Sequence, residues 1–251
     1  MAAPILREAV LAGPRLIGRS PVAFLAWVLL RIAEQYVSLA ILLGARQTGA
    51  GLGVGAAWSV LAALPFEAVL IAALLRGQLR PDAKRFAYMR LGHTEFRMAG
   101  FLILGGLAGL TIALPASLAA AYVGYAVQQR LLAGSALGIG SAIAALVLMR
   151  FSPAPAILVD GGRFDLAAAW RASEGRYLLL AVVILAAAAV ERGLGEAGRI
   201  LIGPSGATSW PGLVQPLLLA SIAWRSLVGA ASLAIMAGAV ATVWRTRQTL
   251  D

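Results

Sequence analysis

Four ionisable side chains lie inside long apolar stretches of this sequence. Arg31 and Glu34 occur in WVLLRIAEQYVSL, Glu67 in ALPFEAVLI and Arg225 in SIAWRSLVG. A charged group at bilayer depth costs several kcal/mol unless it faces protein, water or a bound partner. These four residues are therefore treated as an intramembrane polar cluster, and they are the first candidates for chemistry.

The spacing of these charges allows two interpretations. Arg31 and Glu34 share a helix face at i, i+3, and an antiparallel hairpin would bring Glu67 to the depth of Arg31. We favour a buried ion pair that fixes the register of the hairpin, because a conducting path needs a longer chain of polar sites. The alternative is a polar cavity or ion pathway lined by Glu34 and Glu67.

The composition places these charges in a membrane. The 251 residues are 61% hydrophobic and 13% charged, with a mean hydropathy of +0.86, whereas soluble domains are about 25% charged. Apolar stretches of about 20 residues, enough to cross a hydrocarbon core of about 30 Å, recur along the chain. They predict one all-α integral membrane domain over 1–251, with six transmembrane helices paired as three hairpins, at 21–43, 54–75, 96–126, 132–150, 176–191 and 215–244. A continuation of the fifth span toward residue 200 is the alternative to its end at 191. Arg225 is then expected to pair with Glu191 or Glu196.

The basic residues orient the chain. Fifteen of them flank the predicted spans on the side that holds both termini: Arg7, Arg15, Arg19, Arg76, Arg80, Lys84, Arg85, Arg90, Arg97, Arg150, Arg163, Arg171, Arg176, Arg245 and Arg247. Four lie on the other side: Arg46, Arg130, Arg192 and Arg199. The positive-inside rule therefore predicts a multi-pass protein of the bacterial inner membrane with both termini in the cytoplasm. The net charge of +10 then needs no nucleic-acid partner.

Short amphipathic segments precede the odd-numbered spans. The sequence predicts interfacial elbow helices over 4–19, with a break at Gly13–Pro14, over 81–91 and over 165–174. In the third elbow, Asp165 is a candidate N-cap and Gly175 a helix terminator.

The elbows mix Arg with apolar and aromatic side chains, a composition typical of helices that lie in the headgroup layer. Such helices either bind anionic headgroups or a membrane-protein partner, or only anchor and orient the chain. The candidate residues for lipid or partner binding are Arg80, Lys84, Arg85, Arg90, Arg97, Arg163, Trp170, Arg171 and Arg176. Gly105 with Gly109 and Gly134 with Gly138 form G-x-x-x-G pairs, which predict close packing of spans three and four, with a homo-oligomer as the alternative.

Signatures of catalysis are absent from the sequence. Cysteine does not occur, His93 is the one histidine, and the chain has no H-E-x-x-H, G-x-S-x-G or Walker A motif. The sequence therefore predicts a protein that is not an enzyme and uses no metal or cofactor.

One stretch resembles a known family. In LMRFSPAPAILVDGGRFDLAAAWRASEGRYLLLAVVIL, 148–185, a span ends in Arg and Pro, and a turn leads to an A-W-R-x-S elbow and another span. The matching positions are Arg150, Pro153, Pro155, Asp160, Ala169, Trp170, Arg171 and Ser173. This pattern resembles the membrane domain attached to some glycerophosphodiester phosphodiesterases and related bacterial inner-membrane proteins. The resemblance implies a helical membrane module and not hydrolysis, because the chain has no room for the catalytic domain.

These observations predict a non-enzymatic lipid-binding or membrane-complex scaffold that acts through its basic cytoplasmic elbows. A small-solute or ion transporter that uses the intramembrane Arg/Glu cluster is the alternative. The two differ in whether Glu34 and Glu67 face a water-accessible cavity or a closed ion pair.

Overall fold

The computed structural model describes residues 2–49, 52–82, 85–127, 135–202 and 215–248, and within these ranges the protein is all-helical, without strands. The α-helices are α1 (Ala2–Arg19), α2 (Pro21–Gln47), α3 (Leu52–Leu79), α4 (His93–Ala126), α5 (Ala136–Leu148), α6 (Ala154–Gly161), α7 (Leu166–Ser173), α8 (Tyr177–Ile202) and α9 (Pro216–Gln248). Short 3-10 helices cover Arg85–Tyr88 and Met149–Phe151.

Six helical segments are long and apolar enough to cross a membrane: Pro21–Gln47, Gly53–Leu79, His93–Ala126, Gly138–Gly161, Tyr177–Ile202 and Pro216–Gln248. The predicted all-α fold with six such helices is confirmed. The fourth segment continues beyond its expected end near 150, because the chain resumes a helix as α6 after one 3-10 turn. Pro155 is tolerated since it stands in the first turn of α6, where an N–H would have no intrahelical partner.

Neighbouring long helices pack as three hairpins, α2 with α3, α4 with α5, and α8 with α9. Helix α9 is central, since it also packs on α1, α2 and α3, and 67% of the residues in its most apolar stretch are buried, against 6% for α4. Small residues dominate its buried face: Gly229, Ala230, Ser232, Ala234, Gly238, Ala239 and Ala241. Small side chains let the backbones of membrane helices approach closely.

The first predicted elbow is one uninterrupted helix. The expected break at Gly13–Pro14 is wrong, because α1 continues through both residues to Arg19. Gly13 serves helix packing instead: a Cβ there would lie 2.7 Å from the Cα of Ile235 on α9. Helix α1 lies along α9, with Gly13 and the apolar side of α1 buried between the two helices.

The second predicted elbow helix, over 81–91, is wrong as well. Within the described part of this segment there is only a 3-10 turn, in which Ala87 and Tyr88 have φ values of 54° and 64°. Tertiary contacts impose this strained backbone, because Tyr88 is 2% exposed and its ring packs 6.3 Å from that of Trp27. Trp27 Nε1 also donates a hydrogen bond to the Ala87 carbonyl at 2.9 Å.

The third predicted elbow is α7. The backbone N–H of Ala168 donates to Asp165 Oδ1 at 2.7 Å, so Asp165 caps the helix as its sequence position indicates. After the helix, Gly175 takes a φ of 69°, a backbone conformation that suits glycine.

Candidate functional site

A single guanidinium joins two carboxylates between α2 and α3. Arg31 Nη1 donates to Glu34 Oε2 at 2.6 Å and also to Glu67 Oε1. The Glu34 side chain is 11% exposed and the Glu67 side chain is 25% exposed. Because the first bond lies within α2 and the second crosses to α3, Arg31 fixes the register of the hairpin. We call these three residues the ion triad.

A third carboxylate, which sequence reasoning did not place here, lies beside the ion triad. A Cβ on Gly229 of α9 would be 3.3 Å from Glu191 Oε1 and 3.4 Å from Arg31 Nε, so both atoms lie against the same point of α9. Glu191 was expected at the end of span five, but α8 continues to Ile202 and puts it near the middle of the helix. The sequence signal for this position of Glu191 is the helical pattern that continues beyond residue 191.

A polar cleft opens between α2, α8 and α9. It has a volume of about 340 Å³ and is lined by Gln35, Ala188, Glu191, Arg192, Gly195, Glu196, Arg225 and Val228. The structure places Arg225 in this cleft and not in the ion triad. Among the described residues, Arg225 has no carboxylate within ion-pair distance, so its expected pairing with Glu191 or Glu196 is wrong. Glu196 instead accepts from Arg199 Nε at 2.8 Å.

The polar cleft occupies one half of the bundle. Arg192 and Glu196 follow Glu191 toward the Ile202 end of α8, and Arg225 lies on the Pro216 side of Gly229 in α9. In the opposite half, the space between the helices behind the ion triad is filled by large, fully buried side chains, which include Trp27, Leu70, Leu74, Leu75 and Met98. The cleft therefore runs from the level of the ion triad toward one end of the bundle only.

An apolar groove lies on the other side of α2 and α3. It has a volume of about 940 Å³ and is lined by Leu30, Pro65, Phe66, Val69, Met89, Arg90 and Leu91. Arg90 supplies the one charge in this lining and is exposed. In the parts of the chain that the structure describes, Arg90 has no hydrogen-bond or ion-pair partner.

Three of the predicted elbow residues hold helix ends together. Arg80 donates to the Asp160 carbonyl and lies 3.9 Å from Asp160 Oδ1. Arg97 Nη1 donates to the carbonyl of Gly162, and Arg176 Nη1 donates to that of Val243 at 3.3 Å. These contacts gather the ends of α3, α6 and α9 and the starts of α4 and α8 at what we call the basic end of the bundle.

The remaining elbow residues divide into three groups. Arg163 and Arg171 are exposed. Trp170 is 45% exposed, and the Arg150 guanidinium carbon lies 4.8 Å from its ring centre. Lys84 and the side chain of Arg85 lie outside the described residues.

Sequence reasoning missed a buried ion pair at the basic end. Arg76 Nη2 bonds to Glu95 Oε1, with side chains that are 11% and 5% exposed. Arg76 Nη1 also donates to the Tyr88 carbonyl at 3.1 Å. In the sequence, Arg76 is one of fifteen basic residues that indicate the orientation of the chain, and Glu95 is an acidic residue in the first turn of α4. No sequence pattern connects the two residues.

Across the ranges that the structure describes, no three His, Cys, Asp or Glu side chains are placed to hold a metal ion. In comparisons of the whole chain with known proteins, no family model, curated protein or solved structure matches it.

Proposed function

We propose that this protein is a non-enzymatic membrane module of the bacterial inner membrane that binds an anionic phospholipid in the apolar groove. Arg90 contacts the headgroup, and the apolar walls hold an acyl chain. The observation that carries the proposal is the position of an exposed, unpaired guanidinium, within the described chain, at the mouth of an otherwise apolar groove of about 940 Å³.

The depth of the groove fits one lipid leaflet. Met89, Arg90 and Leu91 lie at the basic end, in the connection that follows α3. Leu30 is nine residues beyond the first residue of α2, a rise of about 14 Å, close to half of a hydrocarbon core of about 30 Å. A phospholipid with its phosphate at Arg90 would therefore extend its chain past Met89 to the level of Leu30.

The charges at the basic end favour an anionic headgroup. An Arg near an anionic lipid surface contributes about 1 kcal/mol to membrane attraction. Arg80, Arg97 and Arg176 are already bonded to backbone carbonyls. Arg90 and Arg171 are exposed and have no such partner in the described chain, which leaves their guanidinium groups for lipid phosphates.

The same basic end orients the chain under this proposal. By the positive-inside rule it faces the cytoplasm, so the groove opens to the cytoplasmic leaflet, where anionic lipids attract juxtamembrane basic residues. The resemblance of 148–185 to phosphodiesterase membrane domains is compatible with a lipid-facing module. A membrane-protein partner at the same face is the competing occupant.

The test is lipid retention in native mass spectrometry after extraction from nanodiscs that contain phosphatidylglycerol and phosphatidylethanolamine. We expect the wild-type protein to retain one phosphatidylglycerol and the Arg90→Gln variant to lose it at least tenfold more readily. Arg46→Gln is the matched control, because Arg46 is also exposed but lies at the other end of α2. Equal phosphatidylglycerol retention by Arg90→Gln and wild type would refute the proposal.

A second variant separates the groove from the general basic surface. Leu30→Trp keeps Arg90 and fills the deep end of the groove. Displacement of the retained lipid by Leu30→Trp supports chain insertion at this site. If Arg90→Gln weakens retention while Leu30→Trp does not, the lipid is held by surface charge alone and the groove assignment fails.

A further inference from the structure

We infer that the polar cleft is a water-filled binding site for a small zwitterionic solute of amino-acid size. It opens at the end of the bundle opposite the basic end, and it involves none of the residues of the apolar groove. The inference therefore stands independently of the lipid proposal.

Three charges in the wall of the cleft have no counter-charge from the protein. Arg192, Arg225 and Glu191 line the cleft, and in the described chain none of them has an ion-pair partner within 4 Å. Charges at bilayer depth cost several kcal/mol when nothing solvates them. Water or a charged ligand in the cleft supplies the missing solvation. The other carboxylate, Glu196, is already paired with Arg199.

The charges of the walls select the class of ligand. The cleft presents two guanidinium groups and two carboxylates, from Arg192, Arg225, Glu191 and Glu196. A guanidinium binds a carboxylate or phosphate through parallel N–H donors, while Glu191 accepts from an ammonium group. A cation alone would leave both guanidinium groups without a counter-charge, and an anion alone would leave Glu191 without one. A zwitterion supplies a charge of each sign, a carboxylate for the guanidinium groups and an ammonium for Glu191.

The size of the cleft is consistent with this class. A volume of about 340 Å³ corresponds to roughly eleven water molecules at about 30 Å³ each. This accommodates an amino acid together with a few waters and is too small to hold a whole phospholipid. The amide of Gln35 adds one donor and one acceptor group to the same walls.

The floor of the cleft connects the ligand site to the ion triad. Glu191 Oε1 and Arg31 Nε lie against the same point of Gly229, and Arg31 Nε is buried without a hydrogen-bond partner in the described chain. An ammonium group at Glu191 would therefore lie next to the guanidinium that links α2 to α3. Occupancy of the cleft changes the electrostatic surroundings of that link.

The first experiment tests whether the cleft holds water. The native chain has no cysteine, so Ala188→Cys introduces a single thiol into the cleft wall. A charged methanethiosulfonate reacts with a thiolate, which needs an aqueous surrounding. Ala189→Cys is the matched control, because Ala189 is also exposed but does not line the cleft. We expect reaction at least tenfold faster at 188 than at 189 in nanodiscs; equal rates would overturn the inference.

The second experiment tests the ligand class with named probes: glycine, L-alanine, L-glutamine and glycine betaine as zwitterions, propionate and ethylamine as single-charge controls. We expect at least one zwitterion to raise the melting temperature and to slow the labelling of Ala188→Cys. Propionate and ethylamine should do neither. In Arg225→Gln and in Glu191→Gln, the affinity for that zwitterion should fall at least tenfold. No response to any zwitterion, an equal response to propionate or ethylamine, or unchanged affinity in both variants would each overturn the inference.

Discussion

Removal of Arg31 is the sharpest test of how the ion triad stabilises the bundle. In Arg31→Met, Glu34 and Glu67 lose their shared cation. The Glu34 side chain is 11% exposed and the Glu67 side chain 25%, so water solvates the Glu67 carboxylate in part and the Glu34 carboxylate less. Breaking a buried ion pair by removing one partner costs about 3–5 kcal/mol. We expect a loss in that range for the free energy of unfolding.

The other members of the triad give smaller effects, because Arg31 keeps a partner in each case. In Glu67→Gln, Arg31 still bonds to Glu34, and one charge-assisted hydrogen bond becomes a neutral one. Hydrogen bonds to charged groups contribute about 1.5–3 kcal/mol. The loss of unfolding free energy in Glu67→Gln should therefore not exceed about 3 kcal/mol. The order of effects, Arg31→Met larger than Glu67→Gln, follows from one guanidinium serving two carboxylates.

A triple variant separates the cost of an orphaned charge from the value of the triad itself. Arg31→Met combined with Glu34→Leu and Glu67→Leu removes all three charges and fills the same space. Replacing buried ionic groups by apolar side chains of similar volume is neutral or stabilising, so the triple variant should unfold within about 1 kcal/mol of wild type or above it.

The assay is reversible unfolding by SDS in mixed micelles, followed by tryptophan fluorescence. The reasoning would be refuted if the triple variant were as unstable as Arg31→Met. In that case the triad would provide favourable interactions that apolar packing does not replace. A loss below about 1 kcal/mol in Arg31→Met would show that water reaches Glu34 and Glu67 freely.

Two further predictions concern the basic end and the packing of α1. Arg76→Met should lower the free energy of unfolding by about 3–5 kcal/mol, because it leaves Glu95 buried without its cation; this is measured in the same unfolding assay. Gly13→Ala should detach α1 from α9, since its Cβ would meet the backbone of Ile235, whereas Gly18→Ala has open space and should be neutral or stabilising by up to about 1 kcal/mol. Protease cleavage within 2–19 reports the detachment, and equal resistance of the two alanine variants would refute the packing argument.

The sequence predicted the six apolar helices well because hydrophobic length is a local property. Partner choice is not local. The spacing of Arg31 and Glu34 could be read from one helix, but the contact of Arg76 with Glu95 depends on how α3 packs against α4. The sequence contains no signal for that packing beyond the apolar character of both helices.

Local signals were also overridden by tertiary contacts. Pro81 and Gly92 suit the start and end of a helix, yet Tyr88 is drawn into the core against Trp27 and the chain forms only a short turn. Burial of one large aromatic ring contributes more free energy than a few residues of helix on a membrane surface. Propensity therefore failed where a single side chain had a better place inside the bundle.

The small-residue motifs show the same limit. Helices α4 and α5 are in close contact at Gly140, where a Cβ would lie 2.3 Å from the Ala113 carbonyl oxygen. Of the four glycines in the predicted G-x-x-x-G pairs, Gly109 does lie against α5, since a Cβ there would be 3.4 Å from Leu148 Cδ1. Gly105 and Gly138 face open space, and Gly134 lies outside the described residues. The motif correctly indicated that these two helices pack, but the crossing point depends on their relative rotation, which the glycine spacing does not determine.

The ion triad also separates the two candidate binding sites. Leu30 and Phe66 line the apolar groove, and each is followed in its helix by a member of the triad, Arg31 or Glu67. Adjacent residues in an α-helix point about 100° apart, so the groove lies on one side of the Arg31–Glu67 pair, while Glu191 brings the polar cleft to the other side.

This arrangement predicts that the two sites depend on the same ion pair. Without Arg31, the repulsion between Glu34 and Glu67 should move α2 away from α3. A gap then opens between the apolar groove and the polar cleft. In folded Arg31→Met protein, we expect faster thiosulfonate labelling of Ala188→Cys and at least tenfold weaker retention of phosphatidylglycerol. Unchanged labelling together with unchanged lipid retention would show that the helices hold both sites apart by apolar packing, and that the triad contributes stability alone.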